Sequence, residues 1–225
     1  MPGKTYNAQK EQVPTQAMDT ATAIAWLKEH GRSSFAETVE LHIHLGINVE
    51  KSEQFVRGAV TLPGGAAKQK RVAVFTSDEK QQAAATKAGA VIVGGEELVK
   101  QVLAEGKLAA DITVATPDMM PKIAPAARVL GPQGLMPNPK TGTVSDDPAG
   151  VVAELAAGKL SFKMDQLGNI HEAFGKTDWD ADKIEANVRA VVEAVTKARP
   201  AAVKGEFIKS ITLATTMGPG VRVSV

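Results

Sequence analysis

The chain of 225 residues has no cysteine, and its 26 basic and 25 acidic residues leave a formal net charge of only +1. Without thiols, disulfides and thiolate chemistry are excluded, which fits a reducing compartment. The near-zero charge argues against the blanket of positive potential that many nucleic-acid binders carry. No hydrophobic run approaches the length of a membrane span, and the polar start has no apolar signal core, so a cytoplasmic protein with a frayed stretch over Met1–Val13 is expected. No spacing of Ser, His, Asp or Cys suggests a nucleophilic site.

What is present is an ordinary globular content, 44% hydrophobic, enough for one large domain or two modest ones. Two grammars alternate along it. In the first, Asp19 or Thr20 caps a helix running to about His30, and Val39, Leu41, Ile43 and Leu45 alternate with Thr38, Glu40, His42 and His44, the period of a half-buried strand. A short strand over Ala59–Leu62 leads into Pro63–Lys68, whose glycines read as a hinge. The second grammar is a regular alternation: strand 71–76, a helix capped by Ser77, strand 90–93, a helix over 96–105 with Leu98, Val102 and Leu103 inward, and strand 112–116. Helical pieces around 121–130 and 147–157 follow. Short apolar strands with helical crossovers imply a parallel sheet.

The first grammar then resumes. Leu160, Phe162 and Met164 alternate, Ile170–Phe174 reads as their hairpin partner, Asp180 caps a long helix carrying Ile184, Val188, Val191, Val192 and Val195, and the last strand covers 207–216. Strands 38–45, 160–164 and 207–216 are expected on one antiparallel sheet. The fold class is therefore α/β in the broad sense: a split α+β domain over 1–66 and 158–225, interrupted by an inserted α/β domain over 67–157, the two joined by a two-strand hinge at Gly64, Gly65 and Gly158.

The stretch Ser210-Ile-Thr-Leu-Ala-Thr-Thr-Met-Gly-Pro-Gly-Val-Arg222 carries the sharpest functional signal. Ser210, Thr212, Ala214 and Thr216 pave one face with small and mostly hydroxyl side chains, and Met217-Gly-Pro-Gly220 then breaks the strand. Such a strand is a flat seat for a sugar-phosphate backbone or an ordinary edge strand with a turn. Residues 183–225 hold seven basic residues (Lys183, Arg189, Lys197, Arg199, Lys204, Lys209, Arg222) against three acids (Glu185, Glu193, Glu206), so the basic excess sits around this stretch. Other candidates are weaker. Gly94-Gly-Glu-Glu97 lacks the three-glycine dinucleotide spacing and the lysine of a phosphate loop, and reads as acidic helix capping. His42 and His44 share a strand face but have no third metal ligand. The loop 130–143, stiffened by Pro132, Pro137 and Pro139, is long for a connection and reads as functional or as a rigid surface loop.

Leu130-Gly-Pro-Gln-Gly-Leu-Met-Pro-Asn-Pro-Lys-Thr-Gly-Thr-Val144 and Thr215-Thr-Met-Gly-Pro219 together resemble the bacterial type of the large-subunit ribosomal protein L1 family, the stalk proteins. Supporting stretches are Phe35-Ala-Glu-Thr-Val-Glu-Leu-His42, Val56-Arg-Gly58, Leu62-Pro63, Val93-Gly-Gly-Glu96, Ala115-Thr-Pro-Asp118 and Ala202-Val-Lys-Gly205, in family order. The resemblance implies an rRNA-binding split domain and a Rossmann-like insert, no enzymatic activity and no cofactor. It also implies binding to a three-way-junction region of large-subunit rRNA, transient contact with exit-site tRNA, repression through the protein's own mRNA, a monomer off the ribosome, and a cytoplasmic, ribosomal location without membrane contact. Carried onto this chain, its RNA surface comprises Phe35, Thr38, Glu40 and His44 on one strand and Ser210, Thr212, Thr216, Met217 and Gly218 on the other, with Lys163 and Lys204 flanking. Gln133, Phe55 and His44 depart from the usual family residues. The residues themselves leave two other classes open: an RNA-binding module outside the ribosome, and a nucleotide-binding enzyme.

Overall fold

The computed structural model describes residues 4–31, 35–49, 52–67 and 70–224. Its contacts divide the chain into two compact units, Met1–Ala67 with Leu160–Val225, and Lys68–Lys159. In chain order the first begins with α1 (Lys4–Gln12), β1 (Met18–Asp19), α2 (Thr20–Glu29), β2 (Thr38–Leu45) and β3 (Arg57–Thr61). The second holds β4 (Val72–Phe75), α3 (Glu79–Lys87), β5 (Ile92–Gly94), α4 (Glu96–Glu105), β6 (Ile112–Ala115), the short α5 (Met120–Ile123) and α6 (Ala127–Leu130), and α7 (Pro148–Ala156). The chain returns through β7 (Lys159–Lys163), β8 (Asn169–Lys176), α8 (Ala181–Lys197), β9 (Ile208–Thr215) and β10 (Val221–Ser224).

The first unit is built on a five-stranded sheet in the order β1-β10-β9-β2-β8. Along β2 burial alternates strictly, with Val39, Leu41, Ile43 and Leu45 buried and the residues between them half-buried. The same alternation in β9 buries Ile211, Leu213 and Thr215. The apolar face packs against Ile24 and Leu27 of α2 and Ile184, Val188, Val191 and Val195 of α8. Each such side chain, once buried, stabilises the fold by about 1.5–3 kcal/mol. The residues between the buried ones of β2 and β9, on the opposite face, stay half-buried and are mostly polar.

Three expectations are corrected here. The strand over 160–164 does not join this sheet: β7 pairs with β3 in a separate two-stranded sheet. β8 is therefore not its hairpin partner beyond an isolated Met164–Ile170 bridge, and instead pairs along β2 from Thr38–Lys176 to His44–Asn169. Alternation gives a strand its face but not its neighbour, so the nearest strand in sequence need not be its partner. The stretch 4–12 is helical rather than frayed, held where Gln9 Nε2 donates to the His30 carbonyl at 2.8 Å. Gly58 explains Val56-Arg-Gly58, because a Cβ there would come within 2.7 Å of the buried Phe162 ring.

In the second unit β4, flanked by β5 and β6, runs parallel to both. Every residue of β4 and β6 is buried, as expected of a sheet covered on both faces. Two details differ from the sequence reading. Asp78 rather than Ser77 caps α3, accepting the Lys80 N–H at 2.9 Å. In α4, Leu98, Val99 and Val102 turn inward, while Leu103 is exposed. The loop 130–143 is pinned: Leu135 is buried, its carbonyl accepts the Thr113 hydroxyl, and Thr141 and Thr143 both bond the Asn138 carbonyl. Gly134 and Gly142 adopt positive φ there, at 72° and 67°, which their lack of a Cβ permits.

At the proposed hinge, Gly65 and Gly158 have φ of 82° and 113°. Lys68, at the end of the predicted hinge piece, lies outside the described residues.

Candidate nucleic-acid interface

The antiparallel register sets the open face of the sheet in rows. Residues opposite each other in such a ladder share a face, so Asn169, His44 and Ser210 form one row; His171, His42 and Thr212 the next, continued by Arg222; and Ala173, Glu40 and Ala214 a third. Thr38 and Thr216 close the face at one end. The Thr216 N–H donates to the Thr38 carbonyl at 3.1 Å, and the Thr38 N–H reaches the Thr216 hydroxyl at 3.3 Å.

Beyond this clasp the chain turns through Met217 and Gly218. The Gly218 N–H returns to the Thr215 carbonyl at 3.1 Å, and a Cβ on Gly218 would collide with the Thr215 hydroxyl. Glycine is needed there for close approach, since Gly218 is not among the glycines of positive φ. The Met217 N–H donates to Glu37 Oε2 at 3.1 Å, and Glu37 is 1% exposed. The buried carboxylate fixes the turn in place, and the Glu37 backbone N–H donates to the Thr177 hydroxyl at 3.0 Å. Outside it stand Phe35 and Met217, 60% and 52% exposed, large apolar side chains left in water at the end of a polar face.

The histidines of this face bond to their cross-strand neighbours. His42 Nδ1 lies 2.8 Å from His171 Nδ1, and His44 Nδ1 donates to Asn169 Oδ1 at 2.8 Å. His171 Nε2 lies 3.4 Å from Asp165. Among the described residues no group of three His, Cys, Asp or Glu is placed to hold a metal ion. Burial, then the neighbouring His171, lower the His42 pKa below its usual value, and Glu40 only partly opposes them. A histidine depressed in the folded state stabilises the fold above its unfolded pKa and loses that contribution as pH falls through the folded one. The melting temperature should therefore drop as pH is lowered from 7 to 5.5, and His42→Gln should flatten part of that slope. An identical slope in the variant would rule His42 out as its source. Desolvation pushes the Asp165 carboxyl up, but N–H groups of Asn169 and Leu167, the Asn169 side chain and His171 outweigh it and hold it below the ordinary range.

Of the sequence-predicted residues, Thr38, Glu40, His44, Ser210 and Thr212 come together on the open face, with Phe35, Thr216, Met217 and Gly218 at one end of it. Lys204 is exposed in the loop before β9, at the other end. Lys163 is exposed at the end of β7, outside the five-stranded sheet. Sequence reasoning missed Glu37, Asn169 and His171, and named Arg222 only among the basic residues of the last stretch. The last three join the face through the pairing of β8 and β10; Glu37 stands inside the Phe35–His42 stretch, but its burial has no signal in alternation.

The second unit has its own cleft, about 190 Å³, at the carboxyl edge of its sheet, lined by Thr76, Ser77, Thr116 and the carboxyl-bearing Asp78, Asp118 and Asp146. Ligands favour that edge in open α/β sheets, but three carboxylates repel a nucleotide's phosphates. Gly95 caps α4, with Glu96 and Glu97 in its first turn, and Glu96 is held by Lys122 at 2.7 Å. This is the acidic capping anticipated from sequence.

The fold is thus a sheet-based unit with one polar face left open, interrupted in sequence by a second α/β unit. Residues 27–219 match the model of the ribosomal protein L1p/L10e family. The chain is 45% identical over 222 residues to the large ribosomal subunit protein uL1 of Solibacter usitatus, covering 99% of this chain and 93% of that protein. It is 44% identical to the protein of the same name from Maridesulfovibrio salexigens, covering 98% and 94%, and 44% identical to that of Fervidobacterium nodosum, covering 99% and 94%. The chain belongs to the ribosomal protein L1p/L10e family.

Proposed function

We propose that the protein is a structural constituent of the large ribosomal subunit that seats an rRNA three-way junction on the open face of its five-stranded sheet. The observation that carries this reading is the Thr216–Gly218 turn, fixed by a buried Glu37 at the end of a face of hydroxyls and imidazoles. A-form RNA offers a shallow minor groove lined with 2′-hydroxyls, which short polar side chains and glycine amides meet without long cationic reach. A nearly neutral protein can bind RNA this way. Each hydrogen bond nets only about 0.5–1.5 kcal/mol, but stranding a buried partner costs about 1–3 kcal/mol, so the seat is intolerant of mismatch.

In this reading Lys163 and Lys204 make flanking phosphate contacts. The unit over 67–157 moves with the ribosomal stalk about Gly64, Gly65 and Gly158 as deacylated tRNA leaves the exit site. An mRNA that mimics the rRNA junction would occupy the same face and repress translation of the protein's own operon.

The test is a filter-binding titration with a large-subunit rRNA transcript carrying the junction. Thr216→Val should weaken binding about tenfold, the equivalent of roughly 1.4 kcal/mol, whereas Lys140→Ala in the other unit should leave it unchanged. Deleting 67–157 should also preserve affinity. Equal losses from Thr216→Val and Lys140→Ala, or a folded deletion variant that no longer binds, would sink this division of labour.

A further inference from the structure

A second recess adjoins the proposed seat. It encloses about 370 Å³ and is lined by Tyr6 and Lys10 of α1, Val13, Pro219, Gly220 and Arg222 among others, within the roughly 300–1,000 Å³ of small-molecule sites. It is continuous with the open face by two links. Arg222 is the register partner of Thr212, which pairs in turn with His42, so the guanidinium belongs to the same row. Gly220 lies so close to Thr212 that a Cβ on it would stand 2.8 Å from the Thr212 methyl. The Met217–Gly220 turn thus forms a shared wall, seat on one side and recess on the other.

The chemistry of the recess is that of a nucleotide. Tyr6 supplies an aromatic ring, Pro219 and Val13 supply apolar surface, and Lys10 and Arg222 supply two cations. Among the described residues neither cation has an ion-pair partner, in contrast to Arg189 and Lys197, which bridge to glutamates on their own helix. Free cations beside an aromatic face suit an extruded nucleotide, with its base on the ring and its phosphates on the charges. Apart from Arg222 the recess lies outside the sheet rows described above, and Tyr6, Lys10 and Arg222 are all absent from the RNA surface that the resemblance implies.

We infer that the RNA footprint extends past the sheet edge onto α1, and that this recess takes one unstacked nucleotide of the bound RNA, its base against Tyr6 and its flanking phosphates at Lys10 and Arg222. The inference rests on the rRNA-binding reading above and adds a specificity element to it. Flat sheet contacts read groove shape; a pocket for a single base reads whether the RNA can present an unpaired nucleotide at that place.

Titrations of the full-length protein with the same rRNA transcript, repeated over a range of salt, test it. Loss of one stacked base weakens binding roughly 5- to 150-fold. Tyr6→Leu, which keeps an apolar side chain against α1's surroundings, should therefore bind at least fivefold more weakly, while Tyr6→Phe should match the unaltered protein. Lys10→Ala and Arg222→Ala should each lower the slope of log affinity against log salt by about 0.7–0.9. Full affinity in Tyr6→Leu, an equal loss in Tyr6→Phe, or unchanged slopes in both cation variants would overturn the inference. If Thr216→Val loses affinity while all recess variants bind normally, only the recess proposal falls. If the unaltered, folded protein does not bind the transcript, the rRNA reading itself fails, and this one with it.

Discussion

Met217→Asp should abolish cosedimentation with large ribosomal subunits and weaken binding to the isolated rRNA transcript by a hundredfold or more, while the melting temperature stays within a few degrees of the unaltered protein. The side chain of Met217 is half exposed, so the fold makes little use of it. Its N–H, by contrast, is fixed on the buried Glu37 carboxylate at 3.1 Å, a bond in which the methionine side chain takes no part. An aspartate would put a second negative charge beside Glu37 and against the phosphates of the docked RNA. An uncompensated charge desolvated at an interface costs about 3–5 kcal/mol, more than two decades of affinity. Met217→Leu should bind nearly normally, because it keeps an apolar side chain of similar volume. Wild-type cosedimentation by the aspartate variant would remove the turn from the interface.

Asn187→Ala is expected to have the largest effect on stability. Asn187 is fully buried in α8. Its side chain accepts the Gly64 N–H at 2.8 Å and donates to the carbonyls of Phe174 at 2.8 Å and Gly65 at 3.2 Å. Truncation strands a donor and two acceptors and leaves a void. At about 1–3 kcal/mol for each stranded buried partner, a loss of about 3 kcal/mol or more is expected, a drop on the order of 10 °C for a chain of this size. Asn187→Asp should fare almost as badly, since a carboxylate cannot donate to either carbonyl. Equilibrium urea unfolding measures it; a change below about 1 kcal/mol would mean that the clasp contributes little. The clasp also bears on the hinge. Gly64 and Gly65 look free in sequence, yet both are tied to α8, and a Cβ on Gly64 would sit 3.0 Å from the Asn187 oxygen.

The elements most legible in sequence were those whose pattern is local. Thr38–Leu45, Glu96–Glu105 and Ile112–Ala115 carry their period or their uniform apolarity within one stretch, and their boundaries emerge within a residue. The hydroxyl face of 210–216 was legible for the same reason. Pairing was not: β7 and β8 adjoin in sequence, and nothing in their alternation shows that β3 and β2 are their partners. With β8 misplaced, His171 and Asn169 dropped off the face. β10 was missed because four residues, Val221–Ser224, are too few to display a period. Glu37 and Asn187 were illegible in a deeper sense, since a buried polar residue looks like a surface one until the groups that satisfy it are known.

The clasp between Thr38 and Thr216 joins positions 178 residues apart. During synthesis, therefore, β2 has to wait through the whole inserted unit for the strand that completes its face, and such distant pairings form slowly. The insert, by contrast, has all its elements once residue 159 is made. A chain interrupted anywhere before the turn at Met217 can contain a finished insert and a long helix α8, but it lacks the proposed RNA seat. The surface proposed to recognise the ribosome belongs only to chains already made past Met217.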